Sequence, residues 1–361
     1  MFVGGEFYYD GRWVSDAPSL STEHSVFLNG GAACLTVISR FLLDHKIHKI
    51  LLPAYLCPSI LTVLERSGLA YDFYQINPDF SIDLADLARK ANDHRAVYFI
   101  NYFGFLNSDS ALDFMRSLQR SGVIVVEDNA QAGFHDHPTG DFVFNSLRKF
   151  VPFDGGYLST THDLSPYLNQ EPGRINRRLD VIRKYRGQLA DYLLDGKGSH
   201  AELEAMFALA EHYYEKDQVV TGDAQERDAI ERLDWKGIRQ IRRANYEYML
   251  SLISSIPEIS PIFPALQADN LPLGLPVYFS GVPRGPVYEE LGNSAIGLSI
   301  HWDDILEDPR LNHNPLAVDI ASKILTLVID QRTSHKQMDY LVMNLMRAIE
   351  LAKAAHRPQR R

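Results

Sequence analysis

Cysteine is scarce. The 361 residues hold two, Cys34 and Cys57, too few for a disulfide framework and without the C-x-x-C spacing of a zinc or dithiol site. A reducing cytoplasm is therefore the expected location. Continuous apolar sequence is short as well: the longest run, "ILLPAYLCPSILTVL", has 15 residues and is broken by Pro53 and Pro58, whereas a membrane-spanning helix needs about 20. The stretch "MFVGGEFYYDGRW" has neither a basic start nor an apolar segment, so no signal peptide and no membrane partner are expected. Positive charge is outnumbered, with 36 Lys and Arg against 46 Asp and Glu and a net charge of −10. That balance argues against a nucleic-acid partner, because phosphate contacts need a basic face. No internal repeat or low-complexity tract interrupts the chain.

What is present suits a soluble enzyme large enough for two structural units. The first part of the chain alternates between β-branched or aromatic runs (49–53, 71–76, 96–104, 123–129, 141–147, 156–161) and helical patterns (32–45, 59–67, 84–91, 111–121). Such alternation predicts crossover units and a mostly parallel sheet. The run "VIVV" (123–126) is apolar at every position, as a central strand buried on both faces must be. Residues 163–233 read as polar helix with a basic cluster, "RINRRLDVIRKYRG". From Trp235 a helix leads into Pro- and Gly-rich strands (272–281, 295–302) and a last amphipathic helix (334–352). The expected organisation is a large α/β domain (1–234) and a smaller α+β C-terminal domain (235–361).

Ligands of open α/β sheets sit beyond the carboxyl ends of the strands. That rule brings Glu127, Asp128 and Gln131 to one crevice with Lys149, which lies in "SLRKFVPFDGG" (146–156). Apolar neighbours lower a lysine's pKa, and a neutral amine is a nucleophile. Lys184 and Lys197 are rivals but lie in polar segments. Arg148 either depresses the Lys149 pKa further or pairs with an acid. Asp128 could hold a metal, act as a base, cap a helix or anchor a heteroaromatic cation. No Asp or His cluster at ligand spacing accompanies it, so no metal is expected. A carboxylate against a pyridine nitrogen keeps that nitrogen protonated and makes the ring an electron sink, as pyridoxal phosphate requires.

"NGGAACL" (29–35) can present the Gly31 and Ala32 amides to a phosphate at a helix mouth, with Asn29 as cap, or can be a simple turn. Ser146 is a second phosphate candidate. "HDH" (135–137) reads as a metal or acid site, or as a loop between motifs. Arg174, Arg177, Arg178, Arg183, Lys184 and Arg186 could receive a nucleotide diphosphate, or form a solvated helix face or dimer surface. His301 and Trp302 sit where the smaller lobe can face the crevice, with core packing the alternative for Trp302.

These pieces together resemble the sugar aminotransferases of the DegT/DnrJ/StrS type, fold-type I enzymes dependent on pyridoxal 5'-phosphate. The resemblance runs through "NGGAACL", "LLPAYLCPSIL", "INPDFSIDLADL", "INYFGF", "VVEDNAQA", "GDFVFNSLRKFVPFDGGYLST", "IRRANYEYML", "LPVYFSG" and "LTLVIDQRTSHKQMDYLV", and so covers most of the chain. It implies an aminotransferase acting on a keto sugar, nucleotide-linked, in cell-surface polysaccharide or secondary-metabolite biosynthesis, with an amino acid such as glutamate as donor and a homodimer as working form. A sugar dehydratase or eliminase on the same cofactor, and a transaminase-like binding protein without catalysis, are the alternatives.

By residue, the resemblance implies Lys149 as the lysine that binds the cofactor covalently and moves protons. Asp128 is implied as partner of the ring nitrogen, Gln131 as a group beside the cofactor, and Ser146, Gly31 and Ala32 as phosphate ligands. Tyr55 is the candidate for stacking on the ring; strict counting places the family's aromatic at Cys57, and Tyr102 or Phe103 could substitute. The chain departs from the family pattern twice. Ser146 stands three residues before the lysine rather than the usual five, and the cross-dimer element Gly-x-Asn-x-Arg has no equivalent between Gly187 and Leu233.

Overall fold

A computed structural model describes residues 1–15, 20, 25–168 and 175–356, so Arg174 of the basic cluster lies outside the described residues. In chain order the elements are β1 (Val3–Gly4), β2 (Ser25–Leu28), α1 (Gly31–Asp44), β3 (Lys49–Pro53), α2 (Pro58–Ser67), β4 (Ala70–Tyr74), α3 (Leu84–Ala91), β5 (Ala96–Ile100), α4 (Asp109–Arg120), β6 (Ile124–Asn129), β7 (Phe142–Asn145) and β8 (Gly156–Thr160). Four helices follow: α5 (Ser165–Leu168), α6 (Arg177–Asp195), α7 (His200–Asp217) and α8 (Ala224–Glu231). The remainder is α9 (Trp235–Ile253), β9 (Ile259–Pro261), β10 (Leu275–Phe279), α10 (Arg284–Asn293), β11 (Ile296–Gly297), α11 (Pro315–Lys323), β12 (Ile324–Leu327) and α12 (His335–His356).

The main sheet runs β2-β8-β7-β6-β5-β3-β4. The five strands from β7 to β4 are parallel, while β8 runs against β7 and β2 against β8. Val97, Tyr98 and Phe99 of β5 and Val125 and Val126 of β6 are wholly buried, as central strands with helices on both faces require. Two reversals return β2 to the direction of β7. The end of β2 and the carboxyl ends of β5, β6 and β7 therefore open on one edge, which is where this architecture holds ligands. An antiparallel sheet β12-β10-β9 forms the second layer. β1 pairs with β11 through Val3 and Ile296, so the first residues of the chain join an element beyond Trp235.

Side-chain caps explain several helix starts. Asp83 accepts from the Ala85 and Asp86 amides, Ser108 from Ala111 and Asp234 from Gly237, each satisfying donors that a first turn leaves free. The expected strand at 96–104 stops at Ile100, and the expected strand at 295–302 shrinks to Ile296–Gly297. β2, β9 and β12 carry too few residues to show a period. β12 also follows α11 without a Gly or Pro between them, so nothing punctuates the change from helix to strand.

The apolar tail of "SLRKFVPFDGG" is anchoring sequence. Leu147, Phe150 and Val151 are buried with Ile230, Leu233, Trp235 and Leu271 in a second core cluster. Gly155 takes φ +144, and a β-carbon there would lie 2.1 Å from the Phe27 ring, so only glycine lets the chain pass. A short helical turn, Leu147–Lys149, thus holds its last residue at the sheet edge while its neighbours lock into the core.

Candidate active site

Asp128 is the penultimate residue of β6, at 4% exposure. Its Oδ2 accepts from the Tyr98 hydroxyl at 2.5 Å and its Oδ1 from the Ala130 amide at 2.7 Å. Burial raises its pKa; the Tyr98 and Ala130 bonds and the charge of Lys149 pull the other way without cancelling the rise. The carboxylate is thus oriented by two donors yet short of positive charge, and a cation placed beside it would lower its energy. Gln131, two residues into the following loop, accepts from the Phe103 amide through Oε1 at 2.9 Å. Its buried Nε2 has no partner among the described residues. Glu127 does a different job: it accepts from His135, Asn101, Asn129 and the Thr139 and Gly140 amides. His135 therefore pins the 130–140 loop to the sheet. No group of three or more His, Cys, Asp or Glu suited to a metal occurs among the described residues.

Lys149 is half-buried, and burial lowers its pKa, with the Arg148 charge adding to the effect and Cys57 and Asp128 opposing it. Lys149 and Asp128 lie close enough for each charge to act on the other. Arg148 pairs with Glu211 at 3.2 Å. The three-residue spacing from Ser146 to Lys149 is taken up by one tight turn, in which the Lys149 amide reaches back to the Ser146 carbonyl at 3.5 Å.

The mouth of α1 faces the same edge. Gly30 is its N-cap with φ +116, and no side chain caps the helix, so the first amides, Gly31 and Ala32 among them, lack intrahelical acceptors. Asn29 is not the cap; its Oδ1 accepts from Asn176 Nδ2 at 2.9 Å. A β-carbon on Gly31 would meet Ser146 Cβ and the Phe144 ring, each at 3.4 Å. The glycine pair and Ser146 therefore form one cradle. Tyr214 of α7 belongs to it as well: a β-carbon on Gly30 would lie 3.4 Å from its Oη and 3.7 Å from Ser146 Oγ. Tyr214 escapes a sequence reading because it sits in an ordinary polar helix far along the chain.

Tyr55 is fully buried. Its hydroxyl donates to the His301 carbonyl and accepts from the Trp302 amide at 3.0 Å, and its ring packs on Phe80 and Trp302. Cys57, half-buried, lies near both Lys149 and Tyr98. A cavity of about 290 Å³ opens from Lys149 and is lined further by Arg148, Arg178, Arg186, Arg242 and His301. His301 is kept neutral there: burial and the Lys149 charge push its pKa down to about 3. Arg242 is wholly buried. Its Nε donates to Gln331 at 2.8 Å and its Nη1 to the Pro272 and Leu273 carbonyls at 3.1 and 3.0 Å, while Nη2 has no partner among the described residues.

Two residues of the basic cluster are internal. Arg178 and Arg186 are 2% and 4% exposed and donate to the two oxygens of Asp154 at 2.5 and 2.6 Å. A solvated helix face is thereby corrected for these two residues. Their charges are turned inward to pair with an acid from the loop that follows Lys149. Arg177 and Arg183 pair with Asp217 and Asp223 nearer the surface.

No family model matches the chain, and no curated protein matches it in sequence. Solved structures match in fold. Helicobacter pylori PseC, an aminotransferase involved in the biosynthesis of pseudoaminic acid, has a TM-score of 0.66 at 13% identity, over 97% of this chain and 99% of that one. A DegT DnrJ EryC1 StrS aminotransferase from Brucella abortus has a TM-score of 0.59 at 16% identity, over 94% and 92%. The E. coli GDP-4-keto-6-deoxy-D-mannose-3-dehydratase, solved with bound hydrated PLP, has a TM-score of 0.62 at 17% identity, over 90% and 88%. The chain has the fold of these proteins, with the mostly parallel sheet that the sequence predicts.

Proposed function

We propose that the protein is a pyridoxal phosphate-dependent aminotransferase acting on a keto sugar, nucleotide-linked, with an amino acid as donor. The observation that carries this reading is the convergence, on one sheet edge, of an oriented buried carboxylate, a lysine of lowered pKa and an uncapped glycine cradle. The residues fit the cofactor: Gln131 Nε2 is a buried donor in want of an acceptor, and a β-carbon on Gly30 or Gly31 would touch Ser146 and Tyr214 or Phe144, so small residues keep the cradle open.

When bound, pyridoxal phosphate supplies an electron sink for the carbon that loses and gains the amino group. The Gly31 and Ala32 amides and Ser146 would hold its phosphate. Asp128, fixed by Tyr98 and Ala130, would keep the ring nitrogen protonated, and Gln131 Nε2 would donate to the cofactor. Lys149 Nζ, its pKa lowered by burial, would hold the cofactor through its aldehyde, with loss of water, and would take and return the proton at the reacting carbon. Arg242 Nη2 would donate to a carboxylate of the amino-acid donor in the cavity that Lys149 opens.

Sugar dehydration is the second reading, prompted by the dehydratase fold likeness; an amine at position 149, which transfer requires, favours transamination. Cytoplasmic location and a homodimer complete the proposal. No helix among the described residues is long and apolar enough to cross a membrane.

The direct test is optical. Purified protein given pyridoxal phosphate should turn yellow and bleach with glutamate, releasing 2-oxoglutarate, and mass spectrometry of a panel of nucleotide-linked keto sugars should show an aminated product. Protein that stays colourless at saturating cofactor ends the proposal. Arg242→Lys keeps the charge but loses the planar fork, and should raise the donor KM about 10-fold, the worth of one charge-assisted hydrogen bond, with the keto-substrate KM unchanged in initial-rate assays.

A further inference from the structure

We propose that the phosphate subsite is completed within one chain by Tyr214, which the α6–α7 hairpin carries onto the glycine cradle, so that no residue of a second subunit is needed there. The inference rests on the cofactor reading above and extends it to a residue outside every sequence motif. The hairpin is tied to the cradle at several points. The Asn29 amide donates to the Val220 carbonyl at 3.0 Å, just past the end of α7. Leu28 forms a bridge with Thr221, and Asn176 Nδ2, at the start of α6, donates to Asn29 Oδ1. These bonds place both ends of the hairpin against the residues that precede Gly30.

Its interior is locked to the catalytic loop. Glu211 of α7 pairs with Arg148, next to Lys149, and with Arg178 of α6 at 2.7 Å. The Tyr214 ring is covered by Arg148 at 4.4 Å and Arg178 at 5.0 Å. Two guanidinium groups over the ring hold it in place and draw electron density from its hydroxyl, which makes the O–H a better donor. Burial keeps that hydroxyl protonated, raising its pKa against the opposing Arg148 and Arg178 charges. Beside Ser146 Oγ and the α1 amides, it presents a proton where a phosphate oxygen would sit.

Tyr214→Phe removes one oxygen and leaves the ring and its guanidinium contacts. In absorbance titrations it should weaken pyridoxal phosphate binding about 10- to 100-fold, the range for a hydrogen bond to a charged group, and leave pyridoxal, which lacks the phosphate, binding as to wild type. Equal pyridoxal phosphate affinity, or an equal loss for pyridoxal, overturns the proposal. Calorimetric titration of the unloaded protein with inorganic phosphate separates this result from the functional reading. If wild type never turns yellow yet binds phosphate and Tyr214→Phe binds it at least 10-fold more weakly, the subsite stands and the aminotransferase reading falls. If wild type turns yellow and the variant binds phosphate equally, the subsite falls alone. Mixing Tyr214→Phe with Lys149→Ala chains should restore no tight site; restoration would show that the tyrosine acts across a subunit boundary and would overturn the assignment in cis.

Discussion

Lys149→Ala should leave a folded protein that no longer retains pyridoxal phosphate covalently and transaminates about 10³-fold more slowly or not at all. Loss of a positioned proton carrier alone removes about 10²–10⁴-fold, and loss of the amine that binds the aldehyde adds to it. The side chain is the last residue of a turn whose apolar neighbours do the packing, so truncation should spare stability. Borohydride reduction followed by peptide mass spectrometry reads the attachment site. Wild type should carry the cofactor on the peptide containing residue 149 and the variant on none. Attachment to Lys184 or Lys197 in wild type would refute the assignment. The three lysines differ in environment: burial lowers the pKa of Lys149, whereas Lys184 and Lys197 are exposed.

Asp128→Asn should keep cofactor binding largely intact and slow the chemical step about 10²-fold or more. A neutral amide cannot hold the ring nitrogen protonated, so the electron sink is lost while the shape remains. The same substitution should change the pH dependence of stability in the unloaded protein. Burial raises the Asp128 pKa above its unfolded value. Between the two values the folded state therefore binds more protons than the unfolded one, and stability falls as pH rises through that window. Above the folded-state pKa wild type bears the full cost of a buried carboxylate, and below the unfolded value it bears none. Urea unfolding of unloaded wild type and Asp128→Asn should show their stability difference shifting toward the variant as pH rises through the carboxylate range. A difference that stays constant with pH would mean the native carboxylate is already fully compensated. Added pyridoxal phosphate should shrink the difference, because the ring cation supplies the missing charge.

The local patterns that survived into the fold are those with strong periods or obligatory chemistry. β3 and α3 fall at 49–53 and 84–91, as the spacing predicts, because a doubly buried strand has to be apolar along its buried length, here Ile50–Pro53, and an Asp-capped amphipathic turn has few other conformations. The places of Asp128 at a strand end, of Lys149 in the next loop and of the glycine pair before a helix were readable, since each is a short-range feature. The inward charges of α6 were not. "RINRRLDVIRKYRG" has the composition of a solvated face, and only the arrival of Asp154 and Glu211 from other elements makes burial of Arg178 and Arg186 tolerable, as an unpaired buried charge would not be.

What the residues determined alone was the set of parts: a parallel sheet with its ligand edge, a lysine among apolar neighbours, a carboxylate ending a central strand and small residues at a helix mouth. Tertiary structure decided which parts meet. The Tyr98 donor on Asp128 and Tyr214 over Gly30 join residues 30 and 184 positions apart, the N–H groups of Gln131 and Arg242 are left without partners among the described residues, and no local period records either. The reason is that secondary structure follows from interactions within a few residues, whereas the proton affinity and hydrogen-bonding state of a buried group follow from everything the fold packs around it.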